Sequence, residues 1–180
     1  WPREHVVKVL CYAHPDDAPD LRAQQEATVQ RLAHAARAQG LELLLEIIPS
    51  KVGPCTADTA AAVIRRFYAI GVRPDWWKLE PMTDRTAWEA ACAAVRDGDP
   101  WCRGIVVLGL EAEEAALRES FAAAAAHALV KGFAVGRTIF ADAARDWLAG
   151  RIDDAAAIAA MAARYRRLCD IWDEARAGRT

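Results

Sequence analysis

The stretch Asp75-Trp76-Trp77-Lys78-Leu79-Glu80-Pro81 decides how the chain is read. It predicts a short buried strand with a lysine near its exit. Side chains alternate along a strand, so Trp76, Lys78 and Glu80 share one face and Trp77 and Leu79 the other. A lysine and a glutamate inside an apolar strand are costly unless they are paired or put to use.

Working outward, residues 76–80 form the third of five similar segments. Residues 6–12 and 42–48 come before it; residues 104–110 and 129–133 follow. Helices are predicted over 19–39, 58–70, from Thr83 or Asp84 to 96, over 111–126, and from the Gly136-Arg137-Thr138 turn to 148. A last amphipathic helix runs from 152 to a frayed end at 177–180. Gly40 and Gly71 close the first two helices. His14-Pro15-Asp16-Asp17 is a turn whose carboxylates suit the start of a helix.

Strands alternating with helices predict parallel βα units and an α/β fold. The first strand-to-helix turn lacks GxGxxG, which counts against a dinucleotide-binding open sheet. Charged residues recur in the strands: Lys8, Glu42, Glu46, Lys78, Glu80 and Lys131. A (β/α)8 TIM barrel accepts them at the carboxyl ends of its strands, where side chains face the mouth. A full barrel takes about 250 residues. The expectation is therefore one aldolase-type barrel domain over residues 1–180, N-terminally incomplete. The chain would carry about the last five of eight βα units, with three strands upstream of Trp1.

Composition narrows the function. The chain has 180 residues, 54% hydrophobic, with a formal charge of -2. That supplies a sizeable core but no electrostatic case for nucleic acid or an anionic membrane. No apolar run approaches the roughly 20 residues of a membrane span, and no secretory pattern opens the chain. Five cysteines without CxxC spacing predict free thiols in a reducing, cytoplasmic setting. Only four of 23 basic residues are lysines, and Lys8, Lys78 and Lys131 fall in strand-like segments. A homo-oligomer is left open.

Three constellations carry chemistry. A lysine attacks a ketone only as the neutral amine, a form favoured by apolar surroundings or a nearby cation. Trp76 and Trp77 supply the former around Lys78; Lys8 or Lys131 supplies the latter. Glu46 lies near the exit of the preceding strand, where a carboxylate can move protons. Glu80 has a similar claim but sits just before Pro81. The plain structural alternative pairs Lys78 with Glu46 or Glu80 as an ion pair. Gly136 and Arg137 open a helix after the last strand, where amides and a guanidinium can grip phosphate, and Gly109 lets backbone approach closely. His14 reads as a polar rim residue beside Asp16 and Asp17; no metal cluster is expected.

The segments Val-Lys-Val-Leu-Cys-Tyr (7–12), Leu-Leu-Leu-Glu-Ile (43–47), Asp-Trp-Trp-Lys-Leu-Glu-Pro (75–81) and Gly-Phe-Ala-Val-Gly-Arg-Thr-Ile-Phe (132–140) stand in order along the chain. With them it resembles the C-terminal aldolase-like domain of bifunctional 5-dehydro-2-deoxygluconokinase / 5-dehydro-2-deoxyphosphogluconate aldolase proteins of inositol catabolism. More distantly it is similar to tagatose-1,6-bisphosphate aldolase, a class I enzyme. The resemblance implies a lyase without a cofactor. It implies Lys78 as Schiff-base lysine, Glu46 as the proton-transfer carboxylate and Lys8 near the centre of the site; the residues themselves add Glu80 as a second acid–base candidate and His14 at the substrate rim. Gly136 with Arg137 would grip phosphate, beside the close backbone approach that Gly109 allows. It further implies a ribokinase-like kinase domain in the parent protein and a phosphosugar substrate, 2-deoxy-5-keto-gluconate 6-phosphate. The competing expectation is a non-catalytic phosphosugar-binding or regulatory module attached to that kinase.

Overall fold

The computed structural model describes residues 1–110 and 112–178. Five strands alternate with helices: β1 (Val6–Cys11), α1 (Pro19–Ala38), β2 (Glu42–Ile47), α2 (Thr59–Ala69), β3 (Trp76–Leu79), α3 (Arg85–Gly98), β4 (Gly104–Leu108), α4 (Glu114–Ala125), β5 (Val130–Ala134), α5 (Arg137–Leu148) and α6 (Asp154–Ala177). A 3-10 turn, Pro49–Lys51, follows β2. Neighbouring strands are parallel and the sheet order is β1-β2-β3-β4-β5. The α/β class and the alternation are as the sequence predicts. The described strands form one sheet with β1 and β5 at its edges.

Strand order that follows chain order puts every right-handed crossover on the same side of the sheet. Burial agrees. Leu43, Leu45 and Ile47 of β2, Trp77 and Leu79 of β3, and Ile105 and Val107 of β4 are buried, as are Val63, Ile64 and Phe67 of α2 and Trp88 and Val95 of α3. The intervening positions Lys8, Leu10, Leu44, Trp76, Lys78 and Val106 are half-buried or exposed. One face is thus covered by helices and the other is not.

Trp77 anchors the covered face. Its ring is fully buried, lies 5.7 Å from that of Tyr68, and donates Nε1–H to the Tyr68 hydroxyl at 2.9 Å. Gly98 ends α3 against the same tyrosine: a Cβ there would come within 2.1 Å of the ring. Burial raises the Tyr68 hydroxyl well above its ordinary range.

Local departures from expectation have physical causes. α1 follows Ala18 with no side-chain cap. Asp17 instead accepts the His14 amide at 2.8 Å and pairs with Arg66 at 3.2 Å. A buried guanidinium binds a carboxylate more strongly than exposed amides do, and Pro19 has no N–H to satisfy. α4 begins at Glu114, and the expected start, Glu111, lies outside the described residues. Leu110 just before it has φ +49°, a left-handed turn that interrupts the chain between β4 and α4. α6 ends at Ala177; residues 179–180 of the expected frayed end also lie outside. β5 carries a bulge: Ile105 pairs with Val130 and Val106 with Gly132, leaving Lys131 as the extra residue. Its ammonium turns back onto the Ala128 carbonyl at 2.9 Å, at the start of its own strand.

Candidate active site

Glu46 and Lys78 are paired in the β2–β3 register, and alternation points both from the uncovered face. Lys78 Nζ lies 3.3 Å from Glu46 Oε2. Lys8 on β1 brings a second ammonium to 2.6 Å from the same oxygen. The side chains are 5%, 15% and 46% exposed for Glu46, Lys78 and Lys8, so one buried carboxylate joins an enclosed amine to an open one. A lone carboxylate at that depth would be costly; two cations offset it. Lys78 stands in the carboxyl half of β3, the end at which parallel βα sheets bind ligands. Of the two cations the sequence offers to Lys78, Lys8 is at hand and Lys131 is engaged elsewhere.

Glu80 takes a different course. It is buried, accepts the Ser50 amide at 3.2 Å and the Ser50 hydroxyl, and has Cys55 Sγ 3.8 Å away. It therefore ties the β2–α2 loop to the exit of β3. Partial burial, then the charge of Glu80, push the Cys55 thiol up. A cleft of about 380 Å³ opens here at the exits of β2, β3 and β4. Thr56, Thr59, Thr83 and Asp84 line it with Ser50, Cys55 and Glu80, over an apolar floor that includes Ala60, Met82 and Leu110. Asp84 caps α3 through the Thr86 amide at 2.8 Å. The Thr86 hydroxyl and amide hold its carboxyl below the usual range. Sequence pattern assigns no role to Ser50, Cys55, Thr56 or Thr59, and offers Thr83 only as a helix start. Their signal was position alone, in a loop directly after a strand exit.

His14 is buried. Its Nε2 meets the Pro54 carbonyl at 3.1 Å, and its Nδ1 accepts the Asp16 amide at 3.2 Å. Those contacts fit the Nε2–H tautomer. The ring pins the β1–α1 turn to the β2–α2 loop.

Gly109, Gly136 and Arg137 gather at the exits of β4 and β5. A Cβ on Gly109 would come within 2.6 Å of Val135 and 3.0 Å of Thr138 Oγ1, so glycine admits the turn before α5. Gly136 is the N-cap of α5 and Arg137 its first residue; both are exposed. Arg137 lines a second cleft, of about 450 Å³, with Arg145, Arg164, Asp142 and Glu113. Asp142 clamps Arg164 at 2.7 Å and Arg145 at 2.9 Å, and these hydrogen bonds hold its carboxyl below the usual range. Lys8, Glu46 and Lys78 thus form one cluster, while Glu80 with His14 and Gly136 with Arg137 belong to separate loop regions. Among the described residues no group of three or more His, Cys, Asp or Glu is placed to hold a metal ion, and no helix is long and apolar enough to cross a membrane.

Parallel strands laid down in chain order, helices over one face and a lysine–glutamate–lysine cluster on the other define an α/β protein of repeated βα units. The chain belongs to the family DUF2090, described as an uncharacterized protein conserved in bacteria, whose model matches residues 1–176. Among solved structures it is similar to Cgl0159 from Corynebacterium glutamicum (Brevibacterium flavum), a structural genomics target. That match has a TM-score of 0.54 and 24% identity, and it covers 88% of this chain and 50% of the other. The chain therefore accounts for about half the length of that protein, and the likeness is one of fold. No curated protein matches the chain.

Proposed function

We propose that the chain forms the greater part of a closed (β/α)8 barrel and carries the site of a Schiff-base retro-aldolase. The observation that carries this is the Glu46 carboxylate, shared between Lys78 at 3.3 Å and Lys8 at 2.6 Å on the uncovered sheet face. Strand order supports the barrel: units added in sequence on one side curl toward closure, with charged strand ends at the mouth. The candidate substrate is a phosphorylated keto acid, 2-deoxy-5-keto-gluconate 6-phosphate, and a ribokinase-like domain elsewhere in the parent protein is part of the proposal.

Lys78 passes a proton to Glu46, its neutral amine adds to the C5 ketone, and the same proton returns to the departing hydroxyl, so that water leaves and an iminium forms. Glu46 takes the proton of the C3 hydroxyl as the C3–C4 bond breaks. The bonding pair moves into the C4–C5 enamine, and the C3 fragment departs as malonate semialdehyde. Protonation at C4 and hydrolysis return Lys78 and release dihydroxyacetone phosphate. Lys8 holds Glu46 in place, and the α5 amides with Arg137 hold the phosphate. Borohydride added with substrate should leave a stable adduct on Lys78, seen by peptide mass. Full turnover with Lys78 unmodified would refute the proposal. Chelator should leave the rate unchanged.

A further inference from the structure

The cleft at Glu80 is lined by carboxylates and hydroxyls together. Four hydroxyl residues (Ser50, Thr56, Thr59, Thr83) and two carboxylate residues (Glu80, Asp84) line it; the Ser50 hydroxyl donates to Glu80, and those of Thr56 and Thr59 meet at 3.2 Å. Among the described lining residues none is Lys, Arg or His. Glu80 is 8% exposed, and its carboxylate is met by the Ser50 amide, the Ser50 hydroxyl and the Cys55 thiol, all uncharged. Glu46, buried to a similar depth, is met by two ammoniums instead. The positive end of α3 is also answered already, by Asp84 on the Thr86 amide.

A space so lined accepts hydrogen bonds and carries uncompensated negative charge. Hydroxyl groups suit it, because each donates a proton to a carboxylate and accepts one from a serine or threonine. A further carboxylate would meet like charge with no cation to offset it. Glu80 follows Lys78 by two residues, so their Cα atoms lie at most roughly 7 Å apart, although Lys78 itself does not line the cleft.

We infer that this cleft takes the end of the substrate remote from the phosphate, and that this end is uncharged and hydroxylated. The inference rests on the Schiff-base reading of Lys78 for which end faces the cleft. It departs from that reading's candidate substrate, whose far end is a carboxylate. The ligand class is a phosphorylated ketose with a polyol tail, bound tail-first between the β2–α2 and β3–α3 loops.

The test uses two 5-ketohexose 6-phosphates, alike except that C1 is hydroxymethyl in one and carboxylate in the other. With the full protein, kcat/KM should be at least tenfold higher for the hydroxymethyl compound. Cys55 lines the cleft and is exposed, so that compound should also shield it from iodoacetamide, read from the mass of its peptide. Shielding should persist in Lys78→Met, where no imine forms. Thr83→Lys, at an exposed position on the rim, should turn the preference toward the carboxylate compound. Equal rates, or preference for the carboxylate, with Lys78 still trapped by borohydride would overturn the cleft inference alone. Failure of the hydroxymethyl compound to shield Cys55 would overturn it too. Shielding without any trapped Lys78 would uphold the cleft and remove the aldolase reading.

Discussion

Arg66 and Lys78 are both basic side chains held by buried carboxylates, yet their surroundings differ in kind. Both terminal nitrogens of Arg66 donate hydrogen bonds, and Nε makes an ion-pair contact. Nη1 donates to the His14 carbonyl at 3.0 Å and to Asp17 at 3.2 Å. Nη2 donates to Gln25 at 2.8 Å, and Nε lies 3.0 Å from Glu26. The Arg66 side chain is 4% exposed and that of Asp17 fully buried. This network rivets α2 to α1 and to the turn after β1, behind the sheet. Lys78 meets a single carboxylate oxygen, shared with Lys8, although an ammonium carries three donors. Saturated ionic groups hold a fold; an amine with donors to spare, on the open face of a sheet, has capacity left for a ligand.

That contrast can be broken experimentally. Lys78→Met should lower aldol turnover by roughly 10⁴-fold or more while leaving the melting temperature nearly unchanged. A large loss of stability instead would make Lys78 a second rivet. Arg66→Met should do the reverse, costing about 3–5 kcal/mol in denaturant melts because it strands Asp17, with Lys78 still trapped by borohydride in the folded fraction. Glu46→Gln sharpens the comparison. It should cut turnover by roughly 10²–10⁴-fold, with a stability loss smaller than that of Arg66→Met, since Lys8 is half in water.

The smallest effect concerns a surface pair. Arg118 bonds Glu174 at 2.7 Å between α4 and α6 and holds that carboxyl below its ordinary value of 4.5. A depressed carboxylate contributes stability that is present above its unfolded pKa and lost as pH falls through the folded one. Protection from hydrogen exchange in α6, taken relative to the intrinsic exchange rate at each pH, should therefore fall slightly as pH drops below about 4.5. Glu174→Gln should flatten that dependence.

The sheet and the lysine cluster were legible in the sequence because both follow from period two. Glu46 and Lys78 sit near strand exits, and adjacent parallel strands bring such positions together. The rivet was not legible. Arg65 and Arg66 look alike along the chain, and only burial separates the exposed one, on Asp58, from the enclosed one. Its partner Asp17 lies 49 residues away and reads locally as a helix cap. Lys131 falls in the strand the sequence predicts, but a one-residue bulge redirects it, and no local pattern announces a bulge.

That bulge has consequences for how the molecule meets its neighbours. The margin formed by β5 is kinked and carries an exposed lysine, a combination that discourages another strand from zipping on. The opposite margin, β1, keeps regular spacing through all six of its residues and leaves Val6 and Leu10 open to solvent. An added strand therefore finds a regular ladder at β1, whereas one that closes the sheet at β5 must accommodate the bulge.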